Sequence, residues 1–373
     1  MKPHLVFLLF IIVWSQRMEG QYKLNVVESL LTHEVQELLD KNIAVKRVVF
    51  LGESEHHIGS DLLAKTEFVK YLVLKHGYKD IAFEGDFFAL YFEHSKQNLF
   101  PMWSRTEQCK KLFEFLQQHD VTIWGFDNQF SSGYSFKYFS PKLFQFLNEN
   151  NLSWSKEFRN EVDVAMANGP EINKKLGSKQ IDHLLKEVEV LLQNPVVQKN
   201  HAWLQILESF KSTVRQNSSN RTEGIAIRDK QMASNLNFIT SQQHDKKFIV
   251  WAANGHISKL NLPNMKGQTM GYQYIQLNPN STYHIAFAPI KMPYRKDKFI
   301  QSQKKDTDNL LNLLPSTEEN YFLESNMLNK ANPGIIEKEF NGMFGLTNEK
   351  TKYLQHYDAL VFIANGEKAK YIE

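Results

Sequence analysis

Short apolar runs, each stopped abruptly by polar residues, alternate with longer stretches of helical periodicity through the first third of the chain. Arg47-Val48-Val49-Phe50-Leu51 is β-branched and aromatic with no polar alternation, the pattern of a strand buried on both faces. Gly52-Glu53-Ser54-Glu55-His56 ends it, and a helix is predicted from about Asp61 to His76. A strand over 80–84 runs through Ile81-Ala82-Phe83 into Glu84-Gly85-Asp86. An aromatic helix, Phe87 to Lys96, and a second, roughly Ser104 to His119, come next. Val121-Thr122-Ile123-Trp124-Gly125-Phe126 reads as another strand, stopping at Asp127. Strands and helices alternating at this spacing imply a parallel, doubly wound sheet.

From about Pro141 to Gln243 the strand signals vanish. Segments 155–168, 171–193, 196–216 and 222–242 read as helices, punctuated by Gly169-Pro170, Asn194-Pro195 and a polar stretch at 216–220. Phe248-Ile249-Val250-Trp251-Ala252 then resumes the strand pattern and runs into Ala253-Asn254-Gly255-His256. Further strands are predicted near 270–277, 282–288 and 358–363, with a helix around Asp306–Leu314. The expected fold class is α/β: a mostly parallel central sheet flanked by helices. A helical insertion, about 141–243, is expected as a lid over the carboxyl-end edge of the sheet. One domain, 21–373, carries all of it.

The 373 residues are 42% hydrophobic and 13% aromatic, which supports a large core. A formal charge of +3, with Lys and Arg dispersed among Asp and Glu, gives no case for nucleic acid or a membrane surface. The expected partner is a small-molecule substrate. Cys109 is the single cysteine, so an intramolecular disulfide and a cysteine-based metal site are excluded. Residues 1–20 have the layout of a secretory signal: a basic start, apolar Leu5 to Trp14, then a polar stretch with a cut expected near Gln21. Export to a periplasmic or secreted location follows, with no segment long enough to span a membrane. Asn151, Asn217, Asn220 and Asn280 begin glycosylation sequons, which matter only in a host that glycosylates.

Open α/β sheets gather ligands at the carboxyl ends of their strands. Glu53, His56, Glu84, Asp127 and His256 all lie at such ends. His56 can take a proton from water, with Glu53 or Glu84 placed to orient it. His57 competes, but its side chain is expected to point elsewhere. Asp86 reads as the N-cap of the helix it precedes. Asp127 could orient a catalytic residue or cap a turn. His256, with Asn254 nearby, could polarise a carbonyl or hold an oxyanion; the plainer reading is a histidine bonded to backbone. Arg228-Asp229, in the last insertion helix, reads as a clasp to the sheet edge or as part of the pocket. Lys65 could neutralise a carboxylate or be solvated. There is no Gly-x-Ser-x-Gly elbow, no phosphate-cradling Gly-x-x-x-x-Gly-Lys, no Gly-x-Gly-x-x-Gly and no His-Glu-x-x-His. Activation of water is the chemistry these groups support, and no cofactor is expected.

These blocks, in their order, resemble the erythromycin esterase family. Leu51 to His56 is similar to the family's Gly-Glu-x-x-His, and Lys65 falls where a basic residue, often arginine, is found. His76-Gly77-Tyr78 leading to Glu84, Gly125-Phe126-Asp127-Asn128-Gln129, Ile227 to Ala233, Trp251 to His256 and the strand 357–363 complete the likeness. The resemblance implies an α/β fold with a helical lid and metal-independent hydrolysis of a macrolactone ester. On that pattern His56 is the base, Glu53 and Glu84 orient it or organise the pocket, and His256 helps stabilise the intermediate. Ala253 stands where the family has histidine, so the expected substrate is not a macrolide drug. Two rival readings are a metal-dependent hydrolase ligating through Glu53, His56, Glu84 and His256, and a secreted binding module for a bulky hydrophobic ligand such as haem or a lipid.

Overall fold

The computed structural model describes residues 19–262, 267–295, 297–343, 346 and 349–372. The expected signal segment therefore lies outside the described residues up to Arg17-Met18. Eight strands form one sheet: β1 Gln21–Lys23, β2 Val48–Leu51, β3 Asp80–Asp86, β4 Thr122–Asp127, β5 Phe248–Trp251, β6 Thr282–Lys291, β7 Tyr321–Glu324 and β8 Ala359–Asn365. Their order is β1-β7-β8-β6-β2-β5-β3-β4. From β8 to β4 every pairing is parallel, whereas β7 runs antiparallel to both β8 and β1. The sheet is mostly parallel and has helices on both faces.

Side chains alternate across the sheet, and each face has its own core. Val48, Phe50, Ala82, Phe126 and Val250 point to one face, against Phe139, Leu143, Phe210, Met232 and Leu236 of the long helical segment. Val49, Leu51, Ile81, Phe83 and Trp251 point to the other, against Leu62, Phe68 and Val69 of helix Gly59–His76 and Leu112 of helix Glu107–Gln118. Burial on both faces is why these strands read as unbroken apolar runs.

The helical segment starts earlier than expected. Helix Gly133–Glu149 runs straight through Pro141. A proline inside a helix removes one hydrogen bond and crowds the preceding turn, but Phe139 and Ser140 before it and Leu143 and Phe144 after it are buried on one continuous face. Packing outweighs the local break. Helices Lys156–Asn168, Ser178–Gln193, His201–Ser218 and Arg221–Gln242 follow, with short turns between them. The segment packs on a face of the sheet, and its last long helix also reaches the carboxyl-end edge.

Three expected elements differ. The aromatic helix expected from Phe87 to Lys96 stops at Phe92. Residues 270–277 form a helix, Met270–Leu277, rather than a strand. Its aromatic and glutamine residues alternate, which mimics a strand, but the buried set is Met270, Gly271 and Tyr274, at helical spacing. Thr269 caps it by accepting from the Tyr272 amide. Over 306–314 only a 3₁₀ turn, Leu310–Leu313, forms, because Asn309 accepts from the Leu311 amide and the chain turns at once; helix Asp297–Lys305 lies just before it. The antiparallel strands β1 and β7 have no counterpart among the sequence expectations.

The register sets up the site. Leu51 pairs with Trp251, and Trp251 with Phe83. The residues that follow, Gly52-Glu53, Ala252-Ala253 and Glu84, therefore emerge side by side at one level. Beside them the β3–β4 pairing slips between Phe83↔Gly125 and Asp86↔Asp127, leaving one more residue on β3 than on β4. A bulge of this kind re-aims side chains and is frequent beside active sites. It falls at Glu84-Gly85. Gly125 opposite has no room for a side chain: a Cβ there would lie 2.6 Å from the Gly85 carbonyl oxygen.

Candidate active site

Two charge clusters face one another at this edge. The first is centred on Glu53, which is wholly buried. One carboxylate oxygen, Oε1, lies 2.7 Å from His56 Nδ1 and accepts from the Trp103 indole at 3.0 Å. The other accepts from Lys65 Nζ at 2.8 Å. Lys65 is also fully buried, 3.9 Å from the centre of the Trp251 ring. Burial alone would push the Glu53 carboxyl up; Lys65 and His56 outweigh it and hold it below its ordinary value. Burial pulls Lys65 down, against the pull of Glu53.

His56 is the exposed member of this cluster, with 34% of its side chain open to solvent. Burial would lower its pKa, but the bond to Glu53 and the charges of Glu53 and Glu84 raise it above 6.5. An ionised Glu53 fixes the proton on Nδ1. Nε2 then carries the lone pair and has no protein partner among the described residues. Trp103 stands edge-on to the imidazole, ring centres 5.7 Å apart. The loop itself is held by Asp61, which accepts from the Ser54 amide at 2.8 Å and hydroxyl at 2.5 Å. Burial pushes Asp61 up to about 7, against those two bonds.

The second cluster is centred on Arg228, from helix Arg221–Gln242. Its guanidinium grips Asp127 through two bonds, Nε to Oδ1 at 3.0 Å and Nη2 to Oδ2 at 2.7 Å. Nη2 also donates to Glu84 Oε1 at 2.7 Å. The second oxygen of Glu84 accepts from the Ala253 amide at 3.0 Å. His256 lies against this group: Nδ1 is 2.8 Å from Asp229 Oδ1, and Nε2 is 3.2 Å from Arg228 Nη1 and 3.4 Å from Glu84 Oε1. Burial works against charge on His256, but Asp229 and Glu84 raise it to about 9. Burial also opposes charge on Glu84, yet His256 and Arg228 hold it far below the usual carboxylate range. Asp229 accepts as well from the Met270 amide at 2.9 Å, so the unexpected helix Met270–Leu277 anchors the carboxylate that orients His256.

Arg228 ties the helical segment to the sheet edge, as the clasp reading expects, and with Asp229 it belongs to the second charge cluster. Lys65 is paired, not solvated. Asn254 lies at the same edge, but its side-chain amide is turned to the β6 backbone, donating to the Phe287 carbonyl at 2.7 Å and accepting from the Phe287 amide at 3.2 Å. His57 is turned outward, 2.8 Å from the Tyr371 hydroxyl. Asp86 caps its helix through the Ala89 amide, and its other oxygen accepts from Ser131 and Ser132. Trp103 was not legible as a site residue: a tryptophan beside Phe100 and Met102 between two expected helices looks like core, and only the fold shows its N–H aimed at Glu53. Asp61 was equally hidden, at the start of a helix where acids are common.

Among the described residues no group of three or more His, Cys, Asp and Glu side chains is arranged to hold a metal ion. The carboxylates are instead matched to cations of the chain itself, Glu53 to Lys65 and Glu84 to Arg228. Cys109 is buried, and burial pushes its thiol up to about 12, so it offers no nucleophile.

The erythromycin esterase family model matches residues 73–365, most of the chain and all of the second cluster. This chain belongs to the erythromycin esterase family. Glu53, His56 and Lys65 lie just ahead of the matched segment. A Bacillus subtilis (strain 168) protein named "Putative hydrolase YbfO" is 25% identical over 284 residues, covering 65% of this chain and 62% of that protein. The chain thus spans less than two thirds of that relative's length. Solved structures share the fold at low identity. Erythromycin esterase EreC, as a histidine-to-asparagine variant in its open conformation, superposes with a TM-score of 0.70 at 15% identity, over 95% of this chain and 99% of that one. A protein described as a succinoglycan biosynthesis protein gives 0.75 at 15%, over 95% and 96%. A Bacillus cereus protein gives 0.72 at 14%, over 95% and 97%.

Proposed function

We propose that this erythromycin esterase-family hydrolase cleaves an ester or related acyl bond with a water activated by His56. The observation that carries the reading is the state of His56: Nδ1 is tied to an ionised Glu53, Nε2 has no protein partner among the described residues, and a third of the side chain is open to solvent. A water on Nε2 gives up its proton as it attacks the carbonyl carbon. Glu53 stabilises the imidazolium that forms. Negative charge builds on the carbonyl oxygen, and the cationic pair Arg228 and His256 stabilises it. The tetrahedral intermediate then collapses, the carbon–oxygen bond to the alcohol breaks, and His56 returns the proton to the leaving oxygen. The products are a carboxylic acid and an alcohol.

The substrate in this proposal is not a macrolide drug. Ala253 offers a methyl group where the family has an imidazole, which removes one donor from the site. Export through residues 1–20 is part of the same proposal; N-terminal sequencing of the mature protein is expected to start near Gln21, and recovery of Met1 from the cytosol would refute it.

The test is hydrolysis of an ester panel by wild type, His56→Ala and His256→Ala, each with and without chelator. His56→Ala is expected to lose on the order of 10²–10⁴-fold in turnover, and His256→Ala up to a similar factor. Chelator is expected to change nothing. Full activity in His56→Ala would end the mechanism, and chelator inactivation rescued by added metal would transfer the site to the metal-dependent reading.

A further inference from the structure

Beside the charge clusters lies a cavity of about 330 Å³ that the chemistry above does not use. It is a partly open space between the loop after β4, the helical segment and Phe100. Phe130, Met166, Ile172, Phe210 and Val214 are among the apolar residues of its wall, and no charged residue lines it. A space of this size is at the lower end for small-molecule sites, which are mostly apolar with a few polar groups. At roughly 30 Å³ for a group the size of a water or methylene, it holds about ten of them.

Two connections tie the cavity to the reacting centre. Phe100, in its lining, packs on Trp103 with ring centres 6.0 Å apart, and Trp103 packs on His56 at 5.7 Å. Gln129, also in its lining, donates its backbone N–H to Asp127, the carboxylate held by Arg228. The same loop therefore carries one wall of the cavity and one anchor of the charge cluster. The side-chain amides of Gln129 and Asn217 have no protein partner among the described residues, so they add polar contacts without charge.

We infer that this cavity is the specificity pocket for an uncharged apolar chain of about ten heavy atoms on one side of the scissile bond. The inference rests on the hydrolase reading for its chemistry and on the cavity alone for its ligand. An apolar chain gains by leaving water, whereas a terminal carboxylate or ammonium would enter an uncharged space with no counter-ion and would be rejected.

Two ester series test it: p-nitrophenyl esters with acyl chains of increasing length, and acetates of linear alcohols. In one series kcat/KM is expected to rise two- to fourfold per methylene until about ten carbons, as buried methylenes contribute, and then level. A terminal carboxylate on the chain is expected to abolish the gain. Ala165→Trp, which fills the cavity from its wall, is expected to move the optimum to shorter chains and leave the shortest ester unchanged. Val214→Phe repeats the reading if that variant fails to fold. Calorimetry with octan-1-ol supplies a readout without turnover: binding to wild type and none to Ala165→Trp. Turnover that ignores chain length in both series, with no octanol binding, would overturn the inference while leaving the hydrolase intact. Octanol binding lost in Ala165→Trp, with no ester hydrolysed, would keep the apolar pocket and remove the hydrolase reading.

Discussion

At the scale of single residues, the site is built from charges that are buried but matched. Glu53 and Lys65 are both fully buried, so each depends on the other. Lys65→Met is expected to leave an unpaired buried carboxylate and to lower unfolding free energy by about 3–5 kcal/mol, the usual penalty for breaking a buried pair. Lys65→Met with Glu53→Gln is expected to recover much of that loss in chemical denaturation. The double variant is nevertheless expected to stay inactive, since a neutral amide cannot stabilise an imidazolium. Recovery of neither stability nor activity would show that Lys65 matters through its contact with Trp251 instead. In the proposed mechanism the two histidines set the pH profile. His56 must be neutral to accept a proton, and its pKa is raised above 6.5, so the rising limb of kcat/KM is expected above that value. His256 must be charged to stabilise an oxyanion, and its pKa of about 9 places the falling limb there. A profile that kept rising past pH 10 would mean that charge on His256 is not required.

Elements meet at this edge with little clearance. Gly52, where β2 passes into the loop with Glu53, packs directly on Asn254; a Cβ on it would lie 2.0 Å from Asn254 Oδ1. Gly52→Ala is expected to push that amide off the Phe287 backbone, costing about 1–3 kcal/mol or more in stability as overpacking does, and to lower turnover by displacing Glu53. Wild-type activity and melting temperature would show that the loop has slack. Helix Arg221–Gln242 joins the sheet edge through Arg228, whose neighbours Glu84 and Asp127 are buried. Arg228→Met is expected to strand both carboxylates, and backbone amide exchange at the start of that helix is expected to quicken more than in the core strands.

Over the whole molecule, a buried histidine outside the two charge clusters is expected to add acid sensitivity. His284 is fully buried and stacked on Phe50, with Nδ1 on the Ile257 carbonyl and Nε2 unpartnered among the described residues. Burial lowers it to about 4, against an ordinary 6.5. Between those values the unfolded chain binds a proton that the folded chain does not. The stability associated with a neutral His284 is therefore complete above pH 6.5 and is lost as pH falls towards 4. In His284→Phe the slope of unfolding free energy against pH across that window is expected to fall by about 1.4 kcal/mol per unit, one proton's worth. An unchanged slope in urea titrations across the window would place the acid sensitivity elsewhere. Among the described residues no helix is long and apolar enough to cross a membrane.

The strands that carry the site were legible because burial on both faces leaves an apolar run with a polar break at its end, as at Leu51-Gly52-Glu53 and Trp251-Ala252-Ala253. Family membership was legible because those breaks keep their order along the chain. Local pattern failed at Met270–Leu277, where alternation suggested a strand while packing on Ile257 and capping by Thr269 selected a helix. It failed too at Pro141, where burial on both sides carried a helix through a proline. Partner choice was beyond the sequence altogether. Lys65 against Glu53, Trp103 against Glu53, Asp229 against His256 and the turning of Asn254 to Phe287 are contacts between distant segments. Only the packed fold, with β6, β2, β5 and β3 in parallel register and helices laid against their carboxyl ends, brings them within bonding range, because hydrogen bonds and ion pairs act over a few ångströms of space and not along the chain.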